Sequence, residues 1–196
     1  ITNLKELTVQ LEKQGAIFQS STDSEAILHL MAHKSHMQPL DALIDSLRKV
    51  KGSYAVIVLL NGALVAARDP WGFKPLVIGK KDEDHYVASE SCALDIVGAK
   101  LLRDVEPGEI VVIDDRGMRS LKIHHECRCG MRCSFEYVYT ARPDSIIDGR
   151  SVYEARKEMG RLLAEQAPCP KADITAGMPD SGTIAAVGYA ERSGIP

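Results

Sequence analysis

The first fifty residues place apolar side chains at helical spacing. Leu4, Leu7 and Leu11 recur on one face until Gly15, and Leu40, Leu43, Ile44 and Leu47 repeat the pattern before Gly52. Between them Thr22 and Glu25 stand in the relation of a capping box. That spacing predicts a third helix from about Asp23 to His33, with Ile27, Leu28, Leu30 and Met31 turned inward. From Ser53 the period shortens: Tyr54 to Leu60 is a β-rich run, Asn61-Gly62 is a two-residue hairpin signal, and Ala63 to Ala67 returns. Further strands are predicted at Leu76 to Ile78, Tyr86 to Ala88, Glu109 to Ile113 and Met118 to Ile123, each bounded by Gly, Pro or Asp clusters. Helices followed by mostly antiparallel strands predict a layered α+β arrangement.

Around Cys127 to Cys133 this pattern breaks. Phe135 to Tyr139 leads into a turn through Pro143 and Gly149, then a helix from Val152 to Ala164 with Val152, Ala155, Met159, Leu162 and Leu163 on one face. A strand at Ala172 to Ala176 and a helix after Gly182, capped by Gly194, complete the opening of an α/β unit. The expected domains are therefore 1–130, α+β, and 131–196, the beginning of an α/β domain that ends unfinished at Ile195-Pro196. No internal repeat or low-complexity tract occurs, and a chain opening on Ile is read as a fragment.

Composition narrows the class. With 24 Lys and Arg against 27 Asp and Glu, the net charge is -3, which excludes a basic nucleic-acid binder. Hydrophobic residues at 45% and charged residues at 26%, with a mean hydropathy of -0.10, describe a globular protein with a packed core. The longest apolar run, Ala55 to Leu60, is far below the roughly 20 residues of a membrane span, and nothing near Ile1 has the charged-then-apolar layout of a signal peptide. A cytoplasmic protein without a membrane partner is expected. Five cysteines, Cys92, Cys127, Cys129, Cys133 and Cys169, do not form an even disulfide framework.

Four segments carry candidate chemistry, each with a plainer alternative. In SSTDSE (Ser20 to Glu25), Asp23 at a helix start either offsets the helix dipole or offers a carboxylate to a cationic amino group on a small substrate. RDPWGFKP (Arg68 to Pro75) has the Asp-Pro-x-Gly chemistry of a type I turn, and ASESCALD (Ala88 to Asp95) is a strand running into a helix capped by Ser89 or Ser91. HHECRCGMRC (His124 to Cys133) is spaced wrongly for zinc, because Cys127 and Cys129 are one residue apart and no second C-x-x-C follows. It leaves one cysteine for an iron–sulfur cluster, or incidental thiols. AGMPDSG (Ala176 to Gly182) is either an ordinary capped βα turn or a site where amides and the Ser181 hydroxyl meet a phosphate or a metal.

Taken in order, residues 20–31, 68–79, 87–99 and 105–113, with FEYVYTARPDS (Phe135 to Ser145), MPDSG and GYAERSGIP, resemble the glutamine phosphoribosylpyrophosphate amidotransferases. The resemblance covers nearly the whole chain. SSTDSE alone is shared with other class II glutamine amidotransferases, such as the fructose-6-phosphate aminating enzyme, whereas RDPWGFKPL, ASESCALD and YVYTARPDS single out this family. Lys74 and Thr140 depart from its more usual Arg and Phe, and Met178 precedes its Pro-Asp-Ser.

The resemblance implies part of an αββα N-terminal-nucleophile glutaminase domain followed by the start of a type I phosphoribosyltransferase domain. The implied activity is pentosyl transfer in the first committed step of purine synthesis. Glutamine is hydrolysed through a cysteine thioester, and the ammonia travels internally to displace pyrophosphate from phosphoribosyl pyrophosphate with Mg2+ present, giving 5-phosphoribosylamine. Asp23 matches the carboxylate that binds the glutamine α-amino group, Ser181 matches the hydroxyl near Mg2+ and phosphate, and Cys133 matches the first ligand of a [4Fe-4S] cluster. Purine nucleotides are the implied inhibitors and a homo-oligomer the implied assembly. The nucleophilic Cys and its oxyanion hole are expected upstream of Ile1, and the pyrophosphate–ribose loop beyond Pro196, so no catalytic residue falls within the chain. The printed segment by itself is then expected to be inactive in both half-reactions and insoluble or self-associating; the alternative to a piece of the enzyme is a non-catalytic remnant that binds a ligand or partner.

Overall fold

The computed structural model describes residues 1–123 and 130–196. In chain order the elements are α1 (Leu4–Lys13), α2 (Glu25–Ala32), α3 (Pro39–Leu47), β1 (Ala55–Leu60), β2 (Ala63–Arg68), β3 (Val77–Lys81), β4 (Asp84–Ala88), α4 (Ser91–Val97), β5 (Lys100–Asp104), β6 (Glu109–Asp114) and β7 (Gly117–Lys122). A π-helical turn at Glu136–Thr140, a short hairpin of β8 (Ile146–Ile147) and β9 (Arg150–Ser151), α5 (Val152–Gln166) and α6 (Ser181–Ser193) follow. They form two compact units that do not follow chain order: 1–74 with 105–132, and 75–104 with 133–196. Among the described residues no helix is long and apolar enough to cross a membrane.

In the first unit an antiparallel sheet runs in the order β1-β2-β6-β7. Asn61 and Gly62 both take positive φ, the geometry of the tight turn that pairs Leu60 with Ala63 and sets the register of β1 on β2. Val65 and Ala67 of β2 and Ile110 and Val112 of β6 pack with Leu7 and Leu11 of α1, Ala26, Ile27 and Leu30 of α2, and Leu43 and Leu47 of α3 into one buried cluster. Alternate residues of a strand share a face, so these pairs are what the period of two delivers to the helices.

Helix α2 differs from the expected 23–33 element. It begins at Glu25, its N-cap position is Ser24, and no side-chain capping bond forms. Instead the Glu25 carboxylate turns back to accept from the Gln19 amide (2.7 Å), the Ser20 amide (2.9 Å) and the Ser20 hydroxyl (2.6 Å). Three donors in the preceding loop outcompete Thr22 for the carboxylate. Leu28, expected inward, is 61% exposed, since the narrow buried stripe of a short helix holds only Ala26, Ile27 and Leu30.

The second unit carries a smaller antiparallel sheet, order β4-β3-β5, with Val77, Leu94 and Ala99 as its core. Strand β5 had no counterpart among the predicted strands: KLLRD is short and mixed, and it is fixed by pairing with β3 rather than by its own pattern. Helix α4 starts after Glu90, not after a Ser89 or Ser91 cap, and makes no side-chain capping bond. Helices α5 and α6 pack closely through glycine. A Cβ on Gly160 would overlap the Ala185 carbonyl, and one on Gly188 would overlap the Lys157 carbonyl. The buried line of α5 is Val152, Arg156, Gly160 and Ala164, whereas Met159, Leu162 and Leu163 stay substantially exposed.

Residues 172–176 form no strand. A strand requires a ladder, and the bonds of this segment are instead a turn bond from the Ala172 amide to the Cys169 carbonyl (3.0 Å) and those of Thr175 with the 195–196 backbone, its amide reaching the Pro196 carbonyl at 2.6 Å.

Candidate functional site

Asp23 sits on the turn that enters α2, with its carbonyl accepting from the Ala26 amide at 3.3 Å. Its side chain remains 48% exposed. Oδ2 accepts a hydrogen bond from the Ile1 nitrogen at 2.7 Å. A half-exposed carboxylate is able to take a cationic ammonium through a charge-assisted bond. Neighbouring Glu25 is committed elsewhere. Its three loop donors, with His29 Nε2 at 3.4 Å, pull its pKa from an ordinary 4.5 down to about 2, the Ser20 hydroxyl contributing most. The two acids of SSTDSE thus divide the work, Glu25 holding the loop and Asp23 facing outward.

RDPWGFKP is a turn, as its Asp-Pro-x-Gly pattern predicts, closed by the Gly72 amide on the Asp69 carbonyl at 3.0 Å. The Asp69 side chain is fully buried and accepts from the amides of Trp71 (2.9 Å), Phe73 (3.3 Å) and Tyr54 (3.3 Å). Arg68, also buried, donates to the carbonyls of Lys74 (2.8 Å), Val105 (2.8 Å) and Gly72 (3.0 Å). These charges organise backbone. Burial raises the Tyr54 hydroxyl above its ordinary pKa, with the charge of Asp69 as the smaller cause.

Ser181 is the first residue of α6, after the N-cap Asp180, and no side-chain capping bond forms there. The amides of Gly182 and Thr183 already bond to the carbonyls of Met178 (2.9 Å) and Asp180 (3.3 Å). Gly177 lies against this turn so closely that a Cβ would come within 2.5 Å of Thr183 Cα. The segment is a tightly wound backbone loop, and the polar chemistry it offers a ligand centres on the Ser181 hydroxyl and the Asp180 carboxylate. Beside it opens a largely apolar cleft of about 560 Å³, lined among others by Leu163, Ile174, Met178, Ala185 and Tyr189.

Cys133 is a free, half-buried thiol whose carbonyl accepts from the Glu136 amide at 3.1 Å, just ahead of the π-helical turn. Cys92 and Cys169 are also free thiols. The zinc and cluster considerations at His124, His125, Cys127 and Cys129 lie outside the described residues. Among the described residues no group of three His, Cys, Asp or Glu side chains could hold a metal ion. Asp23 belongs to the first unit, and Ser181 and Cys133 to the second.

Sequence reasoning missed a polar grip inside the second unit. Glu90 Oε2 accepts from the Arg142 amide (2.8 Å) and the Ser145 hydroxyl (2.7 Å), and Ser91 Oγ accepts from the Ile146 amide at 2.7 Å. The acid was visible only as part of a helix start, because the partners lie more than fifty residues away.

Comparison with known proteins places the chain. The glutamine amidotransferase domain family matches residues 1–95. The amidophosphoribosyltransferase of Bacillus subtilis is 44% identical over all 196 residues, which cover 41% of that protein, and that of Methanocaldococcus jannaschii is 42% identical over the whole chain and 45% of its own length. Among solved structures, the B. subtilis glutamine phosphoribosylpyrophosphate amidotransferase complexed with ADP and GMP superposes with a TM-score of 0.95 at 45% identity, covering 99% of this chain and 42% of that one. A structure described as the allosteric regulatory enzyme of purine biosynthesis gives 0.94, also at 45% identity, over 99% of this chain and 41% of that one. The chain thus spans less than half the length of the relatives it matches.

Proposed function

We propose, from a likeness to amidophosphoribosyltransferases that runs along the whole chain, that it serves the conversion of glutamine and phosphoribosyl pyrophosphate into 5-phosphoribosylamine, glutamate and pyrophosphate, the entry to purine synthesis. In this reading residues 1–130 belong to the glutaminase domain, and 131–196 begin a type I phosphoribosyltransferase domain. The setting is cytoplasmic, in a homo-oligomer inhibited by purine nucleotides.

The observation that carries the reading is the likeness to amidophosphoribosyltransferases along all 196 residues, with the Asp23 side chain left half exposed at the entry to α2. Glutamine presents an α-ammonium, which Asp23 in this reading takes through a charge-assisted bond, leaving the amide end to be cleaved. Ammonia released there must stay out of bulk water, where it protonates, before it meets the second substrate.

For the phosphoribosyl half, Ser181 offers a hydroxyl and Asp180 a carboxylate at the start of α6. Such hard oxygen donors fit Mg2+, which keeps several waters and is held largely by substrate phosphates. When bound, the ion neutralises the departing pyrophosphate. Ser181 in this scheme holds a phosphate oxygen or a water of the ion.

A [4Fe-4S] cluster needs four thiolates, and the described residues do not supply that set. Cys133 is proposed as one ligand, and no step of the reaction passes through the cluster.

Substitution tests the assignment in the full-length enzyme. Asp23→Asn raises the glutamine KM roughly tenfold or more, equivalent to about 1.4 kcal/mol, and spares synthesis from added ammonia. Ser181→Ala does the converse, weakening phosphoribosyl pyrophosphate while the glutamine KM holds. Parallel loss of glutamine- and ammonia-dependent synthesis in Asp23→Asn would refute the assignment.

A further inference from the structure

Residues 1–3 belong to no helix or strand, yet three hydrogen bonds tie them down. Asn3 stands at the N-cap position of α1, where an asparagine ordinarily turns its side-chain oxygen onto the amides of the first turn. Here no side-chain capping bond forms. Instead Asn3 Oδ1 accepts from the Lys51 amide at 2.9 Å and Nδ2 donates to the Lys49 carbonyl at 3.0 Å, partners 48 and 46 residues away. The side-chain amide thus acts as a peptide group would, accepting from one residue of the 49–51 backbone and donating to another. The Thr2 amide adds the third bond, to the Lys51 carbonyl at 2.8 Å. Gly52, at a φ of +104°, lets the two segments come this near, since a Cβ there would stand 3.0 Å from both Thr2 N and Thr2 Cγ2.

What these bonds fix in place is Ile1. Its side chain is almost wholly covered and packs against the core cluster that includes Ala26, Ile27 and Leu30 of α2, and its nitrogen reaches Asp23 Oδ2 at 2.7 Å. The last torsion of an aspartate is broad and roughly two-fold, so the direction of a half-exposed carboxylate is set by the bonds it makes. Ile1 supplies such a bond to Asp23. Apolar packing alone would let residues 1–3 slide, because it has no direction, whereas the paired bonds of Asn3 admit one register. Asn3, Lys49, Lys51, Ile1 and Asp23 all lie in the first unit.

We propose that Asn3 is a positioning residue for glutamine binding: by clamping residues 1–3 onto 49–51 it holds Ile1 against Asp23, and so fixes the direction in which that carboxylate is offered to the substrate's ammonium. The proposal rests on the reading of Asp23 given above. Asn3 acts through Asp23, so its effect falls on glutamine affinity and not on the phosphoribosyl half. A plain helix cap is the rival role, and the two roles accept different side chains. Serine caps a helix about as well as asparagine, but its single short hydroxyl cannot bridge Lys49 and Lys51.

The test compares Asn3→Ala, Asn3→Ser, Asp23→Asn and the double variant Asn3→Ser/Asp23→Asn in the full-length enzyme. Both Asn3 variants raise the glutamine KM severalfold, while kcat at saturating glutamine and ammonia-dependent synthesis stay near wild type. A wild-type glutamine KM in folded Asn3→Ser reduces Asn3 to a helix cap and overturns the proposal; so does ammonia-dependent synthesis falling in step with the glutamine reaction. Adding Asn3→Ser to Asp23→Asn raises KM little further, because the route through Asp23 is already lost, and effects that multiply overturn that route. An unchanged KM in Asp23→Asn alone overturns the functional reading of Asp23 instead. The clamp is then judged by amide exchange: the Lys51 amide loses protection in Asn3→Ala and Asn3→Ser, and unchanged protection refutes it.

Discussion

Glu25 and Asp23, two residues apart, show how one short motif separates structure from chemistry. Glu25 lies on the helix and is held by Gln19 and Ser20, so its charge is stabilised in the folded state and its pKa falls from 4.5 to about 2. A depressed carboxylate contributes stability that is complete above its unfolded pKa and disappears as pH falls through the folded one. The 19–25 loop therefore loosens between about pH 4.5 and 2. Glu25→Gln should flatten the dependence of the unfolding midpoint on pH in that window and leave it unaltered near neutrality; an unchanged acid slope would place the stabilisation elsewhere. Asp23 differs because its side chain stays half exposed at the entry to α2. Both acids are legible in SSTDSE, but which one is committed is not, since the deciding donors at Gln19 and Ser20 come from a loop whose path no periodicity describes.

At the level of elements, apolar periodicity located α1, α3 and the strands of the larger sheet, and it failed where packing is made by small residues. On α5 the pattern points to Met159, Leu162 and Leu163, yet the helix meets α6 along Gly160 and Ala164. Two helices approach most closely where side chains are absent, and hydropathy gives glycine little weight. Gly160→Ala should therefore push α5 away from α6, because the new methyl group meets the Ala185 carbonyl and not a movable side chain. A loss of roughly 1–3 kcal/mol is expected in the unfolding midpoint of the second unit, the usual range for overpacking. A midpoint equal to that of the parent would mean that the helices separate without cost. The segment at 172–176 teaches the complementary lesson: β propensity there is real, but a strand exists only with a paired neighbour.

For the whole molecule, the order of elements along the chain is not the order of compact units, since β3, β4, α4 and β5 associate with residues after 132. The proposed cluster is a property at this scale too, because its thiolates must come from distant parts of a chain. Anaerobically purified full-length protein is expected to be brown and to contain iron, and Cys133→Ser to lose iron, colour and thermal stability together, as cluster thiolates cross-link the fold. A colourless, iron-free, fully active wild type would make Cys133 an ordinary thiol. The sequence by itself determined the α and β segments with strong period, the Asn61-Gly62 and Asp69-Pro70 turns and the likeness to the amidophosphoribosyltransferases, and it offered an acid at 23 and a hydroxyl at 181 as candidate ligands. These follow from local spacing or from motifs contiguous in the chain. Only the tertiary structure decided that Glu25 is spent on a loop, that β5 is a strand, that α5 buries its glycine line, and that Glu90 and Ser91 hold residues 142–146. Apart from Glu25, whose donors lie five and six residues back on an aperiodic loop, each of these depends on a partner far away in sequence, and hydrogen bonds and close packing are specified by where that partner lies, which the pattern of a single segment does not contain.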